Sequence, residues 1–206
     1  EEAYKIFQSL MRLYPTMEDK DLKGQSAMMR AAILVFEHHP SFSMISFITQ
    51  WGITRLADED WTTGQSNGHP VPSTGMRIVG KVFKEVEATP TVDVALKAAP
   101  ILAEALKHSP YNMNNQRYKA IVYRIMGKKD KAIEIYLRLI SKHRQSYLFH
   151  ELSNLLDDEQ QKIALLCKAI SSQREEKFRQ RMRYTLAVLL FSRDKARAKY
   201  ELDKCI

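Results

Sequence analysis

The sequence predicts an all-α chain, and three observations carry the prediction. Apolar residues recur at i, i+3, i+4 and i+7 through most of its length, the spacing that gathers side chains on one stripe of a 3.6-residue helical turn. Only seven glycines and seven prolines occur among 206 residues, and the prolines stand mostly where periodic runs end. The clearest run, 112–144, reads as two antiparallel helices that turn at Gly127.

Taken in order, residues 2–14 form a first helix, with Tyr4, Phe7, Leu10 and Met11 on one face and Pro15 just past its end. Residues 25–39 form a second, carrying Met29, Ile33 and Phe36, and Pro40 stops it. The short apolar run 42–48 fits a helix or a strand by length alone, and its helical neighbours favour a helix. The periodicity then breaks. Residues 51–72 hold three glycines, two prolines and the pair Asn67-Gly68, a hairpin-turn signal whose flanks lack the apolar alternation of strands. This stretch reads as a long irregular loop in the N-terminal half. Both tryptophans lie in it, so it is either a loop pinned to the core by Trp51 and Trp61 or an exposed binding element. In the second reading Trp61 and His69 are its candidate contacts.

Ser73 caps the next helix, whose buried side holds Met76, Val79, Val82, Phe83 and Val86. Thr91 starts another that runs to His108, and Pro100 must kink it or divide it into 92–98 and 101–108. In the central pair, Tyr118, Ile121, Val122, Ile125 and Met126 form the first stripe. Gly127 ends that helix, because glycine enters the left-handed C-terminal position without a Cβ penalty. Asp130 sits near the start of the partner helix, where a carboxylate meets exposed N–H groups; Lys142, His143 and Arg144 put positive charge at its end. Ile133, Tyr136, Leu137 and Ile140 make its stripe. Helices follow at 147–156 (Leu148, Leu152, Leu155, Leu156), 159–172 (Ile163, Leu166, Cys167, Ile170), 175–191 (Phe178, Met182, Leu186, Leu189, Leu190) and 194–205.

Helical pairs therefore begin near Asn112, Gln145 and Arg174, about 33 and 29 residues apart. Ala120 and Tyr123 in the first helix, Gly127 at the turn, and Ala132 and Tyr136 in the second resemble a tetratricopeptide repeat, a helix–turn–helix unit of about 34 residues. The pattern departs from that family where Gln116 stands for an aromatic, Lys119 for a leucine and Arg144 for the closing proline. The resemblance implies a right-handed α–α superhelix, a TPR-like α-solenoid, over residues 111–206, preceded by a helical region at 1–110. Beyond the repeat, Trp51-Gly52, Glu59-Asp60-Trp61 and the run 67–73, followed by 114–120, 147–152, 162–170 and 181–190, are similar to an uncharacterised group of bacterial proteins. These couple a tetratricopeptide-like region to a preceding helical segment. Some members are linked to defence or conflict gene clusters, which implies a partner-binding accessory, and the group brings no catalytic residues to carry over.

Composition excludes several classes. The apolar share of 45% and charged share of 27% allow one substantial core or one elongated array. No apolar run approaches the roughly 18 residues of a membrane span, so no membrane partner is expected. The first residues carry charge and no hydrophobic block, so no secretory signal is expected, and the absent initiator methionine suggests a piece of a longer polypeptide. Two cysteines, Cys167 and Cys205, are too few for a disulfide framework and fit a reducing compartment; the expected location is cytoplasmic. A net charge of +8 is compatible with acidic protein surfaces or nucleic acid without requiring either.

No catalytic or metal constellation emerges. His38 and His39 are adjacent, so they point about 100° apart on a helix rather than converging as an i, i+4 zinc pair does. Asp58, Glu59 and Asp60 crowd three carboxylates, but consecutive loop acids are usually solvated or cap something. The glycines lack the spacing of a phosphate-binding loop, no serine nucleophile elbow occurs, and Cys167 reads as a core thiol. The distinctive surface feature is basic. Arg174, Lys177 and Arg181 fall at i, i+3 and i+7, with Arg179 and Arg183 close by, and guanidinium groups suit phosphates and carboxylates alike. The plainer reading is a solvated face partly paired with Glu175 and Glu176.

The expectation is thus a non-enzymatic protein-binding or scaffold module with a protein or peptide partner in a helical groove, and with no cofactor, metal or small-molecule substrate. The alternative is a nucleic-acid-binding accessory protein using the basic helix face 174–183. The candidate partner-binding residues are Arg174, Lys177, Arg181 and Arg183, with Trp61 and His69 in the loop.

Overall fold

The chain is all-α, as its periodicity requires. In the computed structural model, residues 2–13 and 22–205 are described, and among them are eleven α-helices, two 3-10 helices and a single two-stranded hairpin. The chain divides into two compact units, Glu1–Tyr118 and Lys119–Ile206, with the division inside α6 (Met113–Ile125). The sequence reading set its boundary earlier, at residue 110.

In the first unit, α4 (Thr74–Ala88) packs against α2 (Leu22–His38), α3 (Met44–Trp51) and α5 (Val92–His108). Its Ile78, Val79, Val82, Phe83 and Val86 are fully buried, and the Ser73 hydroxyl caps it by accepting from the Met76 N–H. The run 42–48 resolves as helix: α3 starts after Ser43, whose hydroxyl accepts from the Ser46 N–H. The helix α1 (Glu2–Leu13) docks through Phe7, whose ring lies 5.7 Å from those of Phe42 and Phe47. Leu10, expected on that face, is exposed beside Ile6 and Leu13, because the docking stripe runs 4–7–11 and Leu10 is turned 100° off it. The expected helix end at Tyr14 and Pro15 lies outside the described residues.

Pro100 does not divide α5. Its ring is on the exposed side, and the Leu96 carbonyl that it deprives of a donor belongs to an exposed residue, so the helix runs through without burying the lost bond in the core. The expected irregular loop is also more ordered than its composition suggested. Short 3-10 helices at Ile53–Arg55 and Asp58–Trp61 lead into β1 (Gly64–Ser66) and β2 (His69–Val71), antiparallel with Ser66 opposite His69. Asn67 and Gly68 form the two-residue turn with φ of 51° and 76°, the doubly positive geometry of a primed hairpin turn. All six strand residues are exposed, which is why no apolar alternation announced them.

In the second unit, α7 (Lys129–Lys142), α8 (Ser146–Ser153), α9 (Glu159–Ser172), α10 (Glu176–Leu190) and α11 (Lys195–Asp203) each pack on the next, the stacking that a helical-repeat array requires. Gly127 turns α6 into α7 at φ 72°, and Ala120 and Ala132 are completely buried. The core joins Phe149, Leu166, Ala169, Met182, Leu186, Leu190 and Ala198. Two stripes differ from expectation. On α7 the buried residues are Ala132, Ile135, Tyr136 and Leu139, and Leu137 is exposed. On α10, Phe178 is 53% exposed and the buried stripe begins at Met182.

Candidate functional site

Helix α10 carries two apolar faces. One faces the core through Met182, Leu186, Ala187 and Leu190. The other runs through Lys177, Arg181, Tyr184, Val188 and Phe191, positions that alternate by four and three residues and so share one side of the helix. Along that side Tyr184, Val188 and Phe191 are each more than half exposed, and Phe178 borders it. A core needs only one face of a helix, so a second line of large apolar side chains left in water is the informative observation.

Not every cation predicted for this face belongs to it. Arg183 is turned inward: its Nε donates to Glu176 at 2.9 Å and a terminal nitrogen donates to Glu201 at 2.6 Å, leaving the side chain 12% exposed. These two carboxylates hold its pKa above the ordinary value against the opposing effect of burial, the largest single influence. Arg179 donates to the Gln173 carbonyl at 2.7 Å and pairs with Glu176. The face therefore keeps Lys177 and Arg181; Arg174, expected on the same strip, precedes the extended N-cap Glu175 and so lies outside α10. Lys177 pairs with Glu175 at 3.0 Å and its ammonium stands 4.7 Å from the Phe178 ring centre. Arg174 and Arg181 form no ion pair among the described residues. Arg181 is felt by His150 of α8: burial first, then the Arg181 charge, press that imidazole's pKa down, with Glu151 opposing.

The loop candidates part company. Trp61 is buried; its indole stacks on His108 with ring centres 4.5 Å apart and planes 5° from parallel, and it fills the space beside Gly75. Its indole is thus packed between α4 and α5 rather than offered to a partner. His69 is exposed at the hairpin tip. Asp58 and Glu59 are exposed, whereas Asp60 is buried and accepts from Arg30 at 2.9 Å, so the three acids do not converge. Cys167 is half-buried at the edge of the core, and the single S–H of Cys205 is within reach of both the Gln180 and Glu201 carbonyls. Among the described residues no three of His, Cys, Asp and Glu gather as metal ligands would, and no helix is long and apolar enough to cross a membrane.

Sequence reasoning missed the Tyr184–Val188–Phe191 line. Its signal was present as a second 3–4 spacing on α10, but periodicity does not say which of two apolar faces is covered.

A protein-family model described as "Domain of unknown function (DUF7017)" matches residues 116–206. No curated protein matches the chain. Among solved structures, "Crystal structure of BtubC (BKLC) from P. vanneervenii" is 16% identical with a TM-score of 0.50, over 91% of this chain and 73% of that one. "Crystal structure of MamA" is 14% identical with a TM-score of 0.45, over 64% of this chain and 86% of that one. The likeness to BtubC is one of fold. The fold of this chain is all-α and solenoid-like.

Proposed function

We propose that the chain is a non-enzymatic protein-binding module, and that the exposed face of α10 takes an acidic amphipathic helix of its partner. The observation that carries the reading is the line Tyr184, Val188, Phe191, exposed and preceded on the same side of the helix by Lys177 and Arg181. Burying each large apolar side chain contributes about 1.5–3 kcal/mol, and the cations select a partner with carboxylates beside its apolar stripe. The test is capture from the native extract by the wild type and by a Tyr184→Ser, Val188→Asp, Phe191→Ser variant. The reading expects a partner bound by the first and lost with the second. It is overturned if the wild type enriches nothing over an unrelated helical control, or if the variant captures the same partner equally well.

One observation favours a second reading, single-stranded nucleic acid. Phe178 and Tyr184 lie exposed on either side of Arg181, the interleaving of cations and aromatic faces on which bases stack. Here the expected binding weakens steeply with salt and is lost on Lys177→Glu with Arg181→Glu. Absence of binding at low salt removes this reading and leaves the first.

A further inference from the structure

Three lysines converge on Tyr123 from both sides of the α6–α7 turn. The ammonium groups of Lys119, Lys128 and Lys131 stand 5.9, 6.0 and 5.8 Å from the centre of its ring. A ring has two faces, so at least two of the three share one. Each cation gains from the π-cloud, but three like charges drawn around one ring repel one another.

Among the described residues none of the three lysines forms an ion pair. The acids closest in sequence are engaged elsewhere, Asp157 with Lys129 and Glu134 with Arg138, and Asp130 pairs with none of the three. Lys128 immediately precedes α7 and Lys131 lies in its first turn, where the helix dipole favours acids over bases. The cluster therefore concentrates positive charge with no acid paired to it among the described residues, a place suited to an anion of high charge.

We propose that Lys119, Lys128 and Lys131 around Tyr123 form a binding site for a phosphate monoester, presented as phosphoserine or phosphothreonine on a protein partner. A monoester carries a charge of about −1.5 to −2 and three acceptor oxygens, which suits a point where at least two ammonium groups share one face of a ring and a third stands within 6 Å of its centre. A nucleic-acid strand fits less well. Its phosphates carry one charge each and are spread along the chain, and its bases need an aromatic face that lysines do not already cover. Only the source of the phosphate rests on the protein-binding reading; the site itself is read without a partner.

The experiment is a titration of the protein with N-acetyl-O-phosphoserine amide, followed through the Tyr123 ring and lysine ε-methylene NMR signals. The expected result is saturable shifts at Tyr123, Lys119, Lys128 and Lys131, with little response to N-acetylserine amide. Affinity should fall by about tenfold or more in Lys119→Gln, Lys128→Gln, Lys131→Gln together, where three charge-assisted contacts are lost. It should be unchanged in Lys168→Gln, an exposed lysine of α9. If the triple variant loses its helical circular dichroism, the single change at exposed Lys131 is read instead, with a smaller loss expected. Shifts that grow linearly and equally at all lysines overturn the proposal, as does binding unaltered by the substitutions. Saturable binding of a single-stranded oligonucleotide at Tyr123 in preference to the phosphoserine probe also overturns it, in favour of nucleic acid. Because no partner enters the titration, failure at the α10 face leaves its outcome untouched.

Discussion

Gly75 in α4 stands where no side chain fits, because the indole of Trp61 occupies the space its Cβ would take. A Cβ there would lie 2.4 Å from the Trp61 Cε3, far inside contact distance. Alanine normally stabilises a helix relative to glycine, by up to about 1 kcal/mol. At this site the sign reverses: Gly75→Ala should destabilise the first unit by about 1–3 kcal/mol through overpacking. Gly80, one and a half turns along the same helix, meets only the Tyr118 hydroxyl at 3.9 Å. There Gly80→Ala should be neutral or stabilising by up to about 1 kcal/mol. Urea unfolding followed by tryptophan fluorescence reads both, and like signs at the two glycines would contradict the packing described.

Glu85 of α4 caps a helix that is not its own. Its carboxylate accepts from the Ser43 hydroxyl at 2.7 Å and from the Met44 N–H at 2.5 Å, serving donors that α3 leaves open at its start. Glu85→Ala is expected to cost about 1–2 kcal/mol, with faster amide exchange at the first residues of α3. Unchanged exchange at Met44 and Ile45 would mean the cap contributes nothing.

His150 makes the second unit sensitive to acid. Its pKa lies below the usual 6.5 in the folded chain, so the unfolded chain takes up the proton first. Stability is whole above the unfolded value and falls as pH drops through it towards the folded one. The thermal midpoint should therefore decline between pH 7.5 and pH 5.5, and decline less in His150→Gln. An equal decline in both proteins counts against burial as the cause.

Arg183 and Arg181, two residues apart, should answer differently to the same change. Arg183→Ala leaves Glu201, itself 9% exposed, without its cation and is expected to cost about 2–4 kcal/mol. Arg181→Ala should change stability by less than about 0.5 kcal/mol while weakening capture of the partner. If loss of capture follows Arg183 and spares Arg181, the face has been assigned to the wrong side of α10.

Much of this architecture was legible in the residues. Ser73 before an amphipathic run and Gly127 between two of them are local devices, and local devices are written locally. The hairpin was half legible. Asn67-Gly68 named its turn, but strands exposed on both faces bear no alternation by which to recognise them. The site was the least legible part. Arg174, Lys177 and Arg181 are exposed, though Arg174 falls before the helix, whereas Arg183 looked like one of them until Glu201, eighteen residues on, was seen beside it.

By itself, then, the sequence determined where helices form, where they turn and that the chain is basic, because periodicity, caps and charge depend on neighbours along the chain. Only the tertiary structure decided which of two apolar stripes on α10 is covered and which arginine is neutralised. It also decided that Trp61 is spent on packing and that three lysines meet at Tyr123. Those outcomes depend on which surfaces other helices reach, and burial and pairing are properties of contacts between segments that no local pattern records.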